Sequence, residues 1–194
     1  QTGIQEAAQP GPPAAAYKQA IELWPTEEYV AAMGWCRYIR AKRKMGVLIG
    51  EPGSGKTTIL REIVRTDPGV PVYVEAMPNM RVGDLIAAIA QGVGAKVGGN
   101  SYSRMQQLIE ALRARDDVTI LVDEAEYLRK WDVDKLEYLR KIWDNTGTPV
   151  ILAGTPVLET ILKGAGPREN LAQLYRRKYE LQLKGISAKG ALTV

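Results

Sequence analysis

The chain has 194 residues, 45% of them hydrophobic, with 26 Lys and Arg against 22 Asp and Glu for a formal charge of +4. That length and apolar content suit one globular domain, and its core must rest on Ile, Leu, Val, Ala and Met because the chain has no Phe. One cysteine and no histidine exclude a disulfide framework within the chain, a multi-cysteine metal site and any histidine-based triad or metal site.

The mild basic excess permits nucleic-acid binding without demanding it. No run approaches the length of a membrane span, and no charged-then-apolar leader opens the sequence, so the expectation is an intracellular protein. Residues 1–16, rich in Gln, Ala, Pro and Gly, cannot bury much and read as a flexible segment. The core is expected over 17–184 and a tail over 185–194.

From Thr26 the pattern predicts a helix. Thr26 can cap it, Glu27 and Glu28 suit its positive end, and Tyr29, Met33, Cys36 and Ile39 share one face. Buried packing suits Cys36 there better than nucleophilic chemistry. The helix ends in the basic cluster RAKRK at 40–44. Strands and helices then alternate. MGVLIG at 45–50 is a short apolar strand, followed by a helix over 56–65 that TDPG stops. VPVYVEA at 70–76 is a second strand. VGDLIAAIAQGVG at 82–94 is a helix with Gly at its end, and KVGGN at 96–100 is a loop. The next helix takes Ser103 and Gln106 as a capping box. VTILVDE at 118–124 is a third strand. A helix over 132–147 sets Leu136, Leu139 and Trp143 on one face and closes at Gly147. PVILAGT at 149–155 is a fourth strand. Short helices over 157–162 and 168–177 precede a fifth strand, KYELQL, at 178–183. This alternation predicts an α/β fold with a mostly parallel sheet covered on both faces.

Gly50, four residues, then Gly55, Lys56 and Thr57 form the G-x-x-x-x-G-K-[ST] pattern, set between a strand and a helix where a phosphate loop belongs. Phosphate oxygens must approach backbone N–H groups, so side chains are absent at Gly53 and Gly55. The helix that follows points its positive end at the anion. The loop Gly50, Glu51, Pro52, Gly53, Ser54, Gly55, Lys56, Thr57 and Thr58 is the expected ATP-binding segment. Lys56 neutralises the β- and γ-phosphates, and the Thr57 hydroxyl ligates Mg²⁺. The third strand delivers Asp123 and Glu124 at its carboxyl end, where open α/β sheets bind ligands. Asp123 is the candidate for the Mg²⁺ shell. Glu124 is the candidate base that deprotonates the attacking water. An acid in that place argues for hydrolysis.

These motifs resemble those of the AAA+ ATPases. GEPGSGKTT is similar to their Walker A motif and ILVDEAEYL to their Walker B motif. VILAGTP is similar to the strand carrying sensor 1, which implies Thr155 near the γ-phosphate, where its hydroxyl can meet a phosphate or a water. NLAQLYRRKYELQL is similar to the segment around the arginine finger, which implies that Arg176 or Arg177 reaches a neighbouring subunit's nucleotide. The resemblance covers about 29–183. It implies a P-loop NTPase fold with a five-stranded parallel sheet in the order 5-1-4-3-2, with little or no C-terminal lid.

Within that superfamily, the short core, the helix running directly into the phosphate loop, and DEAEYL with LEYLRKIWDNTGTPVILAGTP resemble the transposition regulators of the MuB, TnsC and TniB group. That resemblance implies an ATP-dependent protein that oligomerises on duplex DNA as a filament or ring and recruits a transposase. Candidate DNA contacts are Arg81 at one helix start, then Lys96, Gly98, Gly99, Asn100, Ser101 and Arg104 around the next loop and helix start, with Lys130 beside Trp131 further on. On charge alone these are ordinary surface. No base-reading motif is visible, so binding is expected to be independent of sequence and sensitive to salt. Two alternatives stay open: an assembly ATPase acting on protein, as in secretion ATPases of the ExeA kind, and a nucleotide-gated scaffold with negligible turnover.

Overall fold

A computed structural model describes residues 26–129, 135–163 and 179–184. Lys130, Trp131, Arg176 and Arg177 lie outside the described residues, as do 1–25, the start of the helix expected from 132, the helix expected over 168–177, and the tail from 185.

Five parallel strands, β1 (Met45–Gly50), β2 (Val70–Glu75), β3 (Val118–Asp123), β4 (Val150–Gly154) and β5 (Tyr179–Leu183), form one sheet in the order β2-β3-β4-β1-β5. This is the expected 5-1-4-3-2 order read from the other edge. β1, β3 and β4 are buried along their whole length, as strands covered on both faces must be, and they read as nearly continuous apolar runs.

The two-residue period of a strand sorts these side chains between two cores. Met45, Val47, Ile49, Val118, Ile120, Val122, Val150 and Leu152 point to the face covered by α3 (Val82–Gly92), α4 (Ser101–Arg113), α5 (Lys135–Thr146) and α6 (Pro156–Lys163). Leu48, Leu121, Ile151 and Ala153 point to the other face, covered by α1 (Glu27–Ala41) and α2 (Lys56–Thr66). α1 packs through Ala32, Met33, Cys36 and Ile39, and Thr26 caps it by accepting the Tyr29 N–H at 3.1 Å. Tyr29 is only partly buried. Burial pushes the Cys36 thiol up to about 12, so it stays protonated and packs as a small apolar group.

One local expectation is corrected. α4 begins at Ser101, and its cap is Asn100, whose side chain accepts the Ser103 N–H at 2.9 Å. The expected Ser103–Gln106 box is therefore displaced into the helix. Gln107, not Gln106, turns back, accepting the Gly98 N–H at 2.9 Å and donating to Ser103 Oγ at 3.0 Å. An amide side chain three residues earlier competes better for the orphan amides of the first turn. On α5 the buried positions are Lys135, Leu136, Leu139 and Ile142. Trp143 joins Leu136 and Leu139 on that face as expected, packing partly buried against the same core, and its indole N–H donates to the Arg43 carbonyl at 2.9 Å.

Candidate nucleotide site

β1 ends at Gly50, and the chain must reverse into α2 within a few residues. Gly53 (φ +81°) and Gly55 (φ +90°) take left-handed backbone conformations that side chains disfavour, and Gly55 is the N-cap of α2. No side chain caps that helix, and its first internal bond is Ile59 N–H to the Gly55 carbonyl at 2.9 Å. The amides of Lys56, Thr57 and Thr58 therefore lie in the open first turn, with the positive end of the helix dipole behind them. Lys56 is 5% exposed, and its ammonium donates to the carbonyls of Gly50 at 2.8 Å and Glu51 at 3.0 Å. The loop thus wraps around the lysine and holds its charge at the mouth of the helix.

The carboxyl ends of β3 and β4 supply the opposite wall. Asp123 is 1% exposed, and both of its oxygens are engaged. Oδ2 accepts the Tyr73 hydroxyl at 2.9 Å and Oδ1 accepts the Glu124 N–H at 3.0 Å. Burial, and then the neighbouring Asp123 charge, pushes the Tyr73 hydroxyl far up, so it remains a donor. Glu124 has φ +52°, a left-handed conformation that is rare for a side chain of this kind. The chain bends there out of β3 into a 3₁₀ turn, Ala125–Arg129. Burial raises the Glu124 carboxyl above the ordinary carboxylate range; Glu126 and Asp123 push it the same way, and Lys56 opposes them. Two residues on, Glu126 Oε1 accepts both the Thr155 hydroxyl at 2.7 Å and the Thr155 N–H at 3.2 Å.

These groups meet in one cleft of about 610 Å³, lined by Pro52, Gly53, Gly55, Lys56, Thr57, Thr58, Glu124, Glu126, Tyr127, Thr155 and Val157. The sequence candidates Lys56, Thr57, Glu124 and Thr155 share it, and Asp123 lies buried beside Glu124. Its chemistry is that of a polyanion site: open amides, a helix N-terminus and a fixed ammonium on one wall, carboxylates on the other. Tyr73 and Glu126 escaped the sequence reading. Tyr73 sits on β2, far along the chain from Asp123, and nothing local marks it. Glu126 had a signal, a third acid two residues after Glu124.

The expected DNA contacts lie elsewhere. Arg81 is the N-cap residue of α3 and is exposed, with its N–H bonded to the Asp84 carboxylate at 2.8 Å. Lys96, Gly98, Gly99, Asn100 and Ser101 are exposed in the loop and at the start of α4. Arg104 joins the two places. Its Nε donates to the Gly99 carbonyl at 2.9 Å, and a Cβ built on Gly83 would stand 3.4 Å from its Nη1. Helix starts that are far apart in sequence are thus neighbours.

Comparison with known proteins agrees with this geometry. The "ATP-dependent target DNA activator B" of Escherichia phage D108 is 27% identical over 144 residues, 73% of this chain and 44% of that protein. The "ATP-dependent Clp protease ATP-binding subunit ClpE" of Streptococcus pneumoniae is 33% identical over 87 residues, 44% of this chain and 11% of that protein. Among solved structures, the Aeropyrum pernix ORC1 protein, determined in complex with DNA, superposes with a TM-score of 0.65 at 19% identity, over 88% of this chain and 48% of that one. The chain spans less than half the length of each of these proteins. The structural likeness shows the α/β P-loop fold. The model of the AAA domain matches residues 39–162, well over half the sequence and all of the cleft described above. The chain belongs to the AAA domain family of P-loop ATPases.

Proposed function

We propose that the chain is an ATP-dependent DNA-binding ATPase that assembles on duplex DNA, as a filament or ring, and regulates transposition by selecting target DNA and recruiting a transposase. The cleft is the observation that carries the ATPase part. Its open helix terminus and Lys56 fit the phosphates of ATP, and Glu124 fits a base for water. Thr57 and Asp123 would hold Mg²⁺, which would supply charge neutralisation at the phosphates. Tyr73 fits this role because its hydroxyl fixes the Asp123 carboxylate in one orientation. In the reaction, water bonds to the γ-phosphorus, Glu124 takes a proton from that water, and the β–γ bridging oxygen leaves with ADP.

The DNA part rests on two supports. One is that Arg104 links the Gly98–Gly99 loop to the start of α3 at Gly83, the helix whose exposed N-cap residue is Arg81. The other is similarity to the phage target DNA activator over 73% of the chain. Arg81→Ala and Arg104→Ala should each weaken duplex binding uniformly across sequences and reduce the salt slope of the affinity by about 1. Anisotropy of a labelled duplex, titrated at several salt concentrations with a slowly hydrolysed ATP analogue, reads both. Binding that ignores both arginines, or that is equal with analogue, ADP and no nucleotide, would refute the DNA reading.

A second reading, an assembly ATPase acting on protein, draws on the similarity to the Clp subunit. It expects turnover that duplex DNA does not change.

A further inference from the structure

Thr155 stands at the carboxyl end of β4 and lines the cleft with Glu124. Its donors are both spent on one atom. The hydroxyl donates to Glu126 Oε1 at 2.7 Å, and the backbone N–H donates to the same oxygen at 3.2 Å. A threonine hydroxyl has one proton and two lone pairs. With that proton on Glu126, the oxygen offers the cleft lone pairs alone. It then has nothing to give a γ-phosphate oxygen, which is itself an acceptor. A water, which can donate, fits it.

Glu126 is seated to hold this orientation. It follows the bend at Glu124, and its Oε2 packs against β4, where a Cβ built on Gly154 would lie 2.5 Å from it. A side chain at that position would push the carboxylate off Thr155. The same Cβ would lie 2.8 Å from Leu158 Cδ2, so the space has no slack on the α6 side either. The bare strand end is what lets a carboxylate reach both donors of Thr155.

We propose that Glu126 is a positioning residue for hydrolysis. By taking the Thr155 proton contact, it makes Thr155 an acceptor for one hydrogen of the attacking water, while Glu124 accepts the other. Thr155 thereby orients the nucleophile and does not grip the γ-phosphate. No proton moves to Glu126: the water oxygen bonds to phosphorus, its proton goes to Glu124, and ADP departs. The inference rests on the ATPase reading above.

The test compares Glu126→Ala, Glu126→Gln, Thr155→Val, Gly154→Ala and the Glu126→Ala/Thr155→Val double variant with the parent chain. Three quantities are read: hydrogen exchange at the Thr155 amide without nucleotide, affinity for a fluorescent ATP analogue, and kcat. Glu126→Ala should speed exchange at Thr155 and lower kcat by roughly 10- to 100-fold, with affinity unchanged. Glu126→Gln keeps an acceptor oxygen and should restore most of both. Gly154→Ala should behave as Glu126→Ala does. Thr155→Val should lower kcat to the same level, and the double variant should be no worse than either single one. The proposal is overturned if Glu126→Ala keeps the parent's kcat, if the two losses multiply, or if Thr155→Val weakens ATP binding at unchanged kcat. Failure of the ATPase reading looks different: the parent chain itself shows no turnover, and the proposal falls with it.

Discussion

Replacing Glu124 with glutamine should slow ATP hydrolysis by on the order of 10²- to 10⁴-fold while ATP remains bound. Glutamine is nearly the same size, so the bend at φ +52° and the cleft wall should persist. What goes is a carboxylate able to take a proton. Single-turnover hydrolysis with prebound ATP separates this from a binding defect. A pH profile sharpens it. Burial and the neighbouring acids Glu126, Asp123 and Glu75 raise the Glu124 carboxyl above its ordinary 4.5. If Glu124 is the base proposed above, it works only when ionised, so turnover should be full above that raised value and should be lost as pH falls through it. The acid limb of the rate should therefore lie above 4.5 and should disappear in Glu124→Gln. A glutamine variant that hydrolyses at the parent's rate would remove Glu124 from the chemistry.

Replacing Lys56 with alanine should weaken ATP binding by about 3 kcal/mol, on the order of a hundredfold. The ammonium is the one buried cation that the cleft holds against its phosphate-loop wall, among the described residues. In the proposed binding mode, its loss would remove a charge-assisted contact to the phosphates. It also strips the partner from the Gly50 and Glu51 carbonyls, which the lysine now gathers at 2.8 and 3.0 Å. The loop should loosen as well as lose charge, so arginine, whose planar fork cannot occupy the same pocket, should not rescue it. Calorimetric titration with ATP reads the loss directly.

Much of this site was legible along the chain, for a physical reason. A phosphate loop needs its glycines, lysine and hydroxyl at fixed offsets, because a strand, a tight turn and a helix start are local objects. Gly53, Gly55, Lys56 and Thr57 stand together in sequence because they do so in space. Strand and helix order followed from apolar periodicity in the same way, and five buried or half-buried runs delivered the sheet. What escaped is what the fold brings together from a distance. Tyr73 meets Asp123 only because β2 and β3 pair in register, with Glu75 opposite Asp123. Glu126 meets Thr155 only because β3 and β4 are neighbours whose ends open on one cleft. The misplaced cap of α4 is a different failure. Asn100 and Ser103 are both good caps by type, and the choice between them depends on how the Gly98–Gly99 loop approaches the helix. Periodicity carries no information about that.

The claim at the centre of this account is that the γ-phosphate in the cleft controls assembly on a double helix. Sedimentation velocity of the Glu124→Gln chain with a duplex, in the presence of ATP, of ADP or of no nucleotide, tests it most directly. The account predicts large DNA-bound assemblies with ATP, none with ADP or without nucleotide, and none under any condition when Lys56 is also alanine. One sedimentation profile for all three nucleotide states would contradict it.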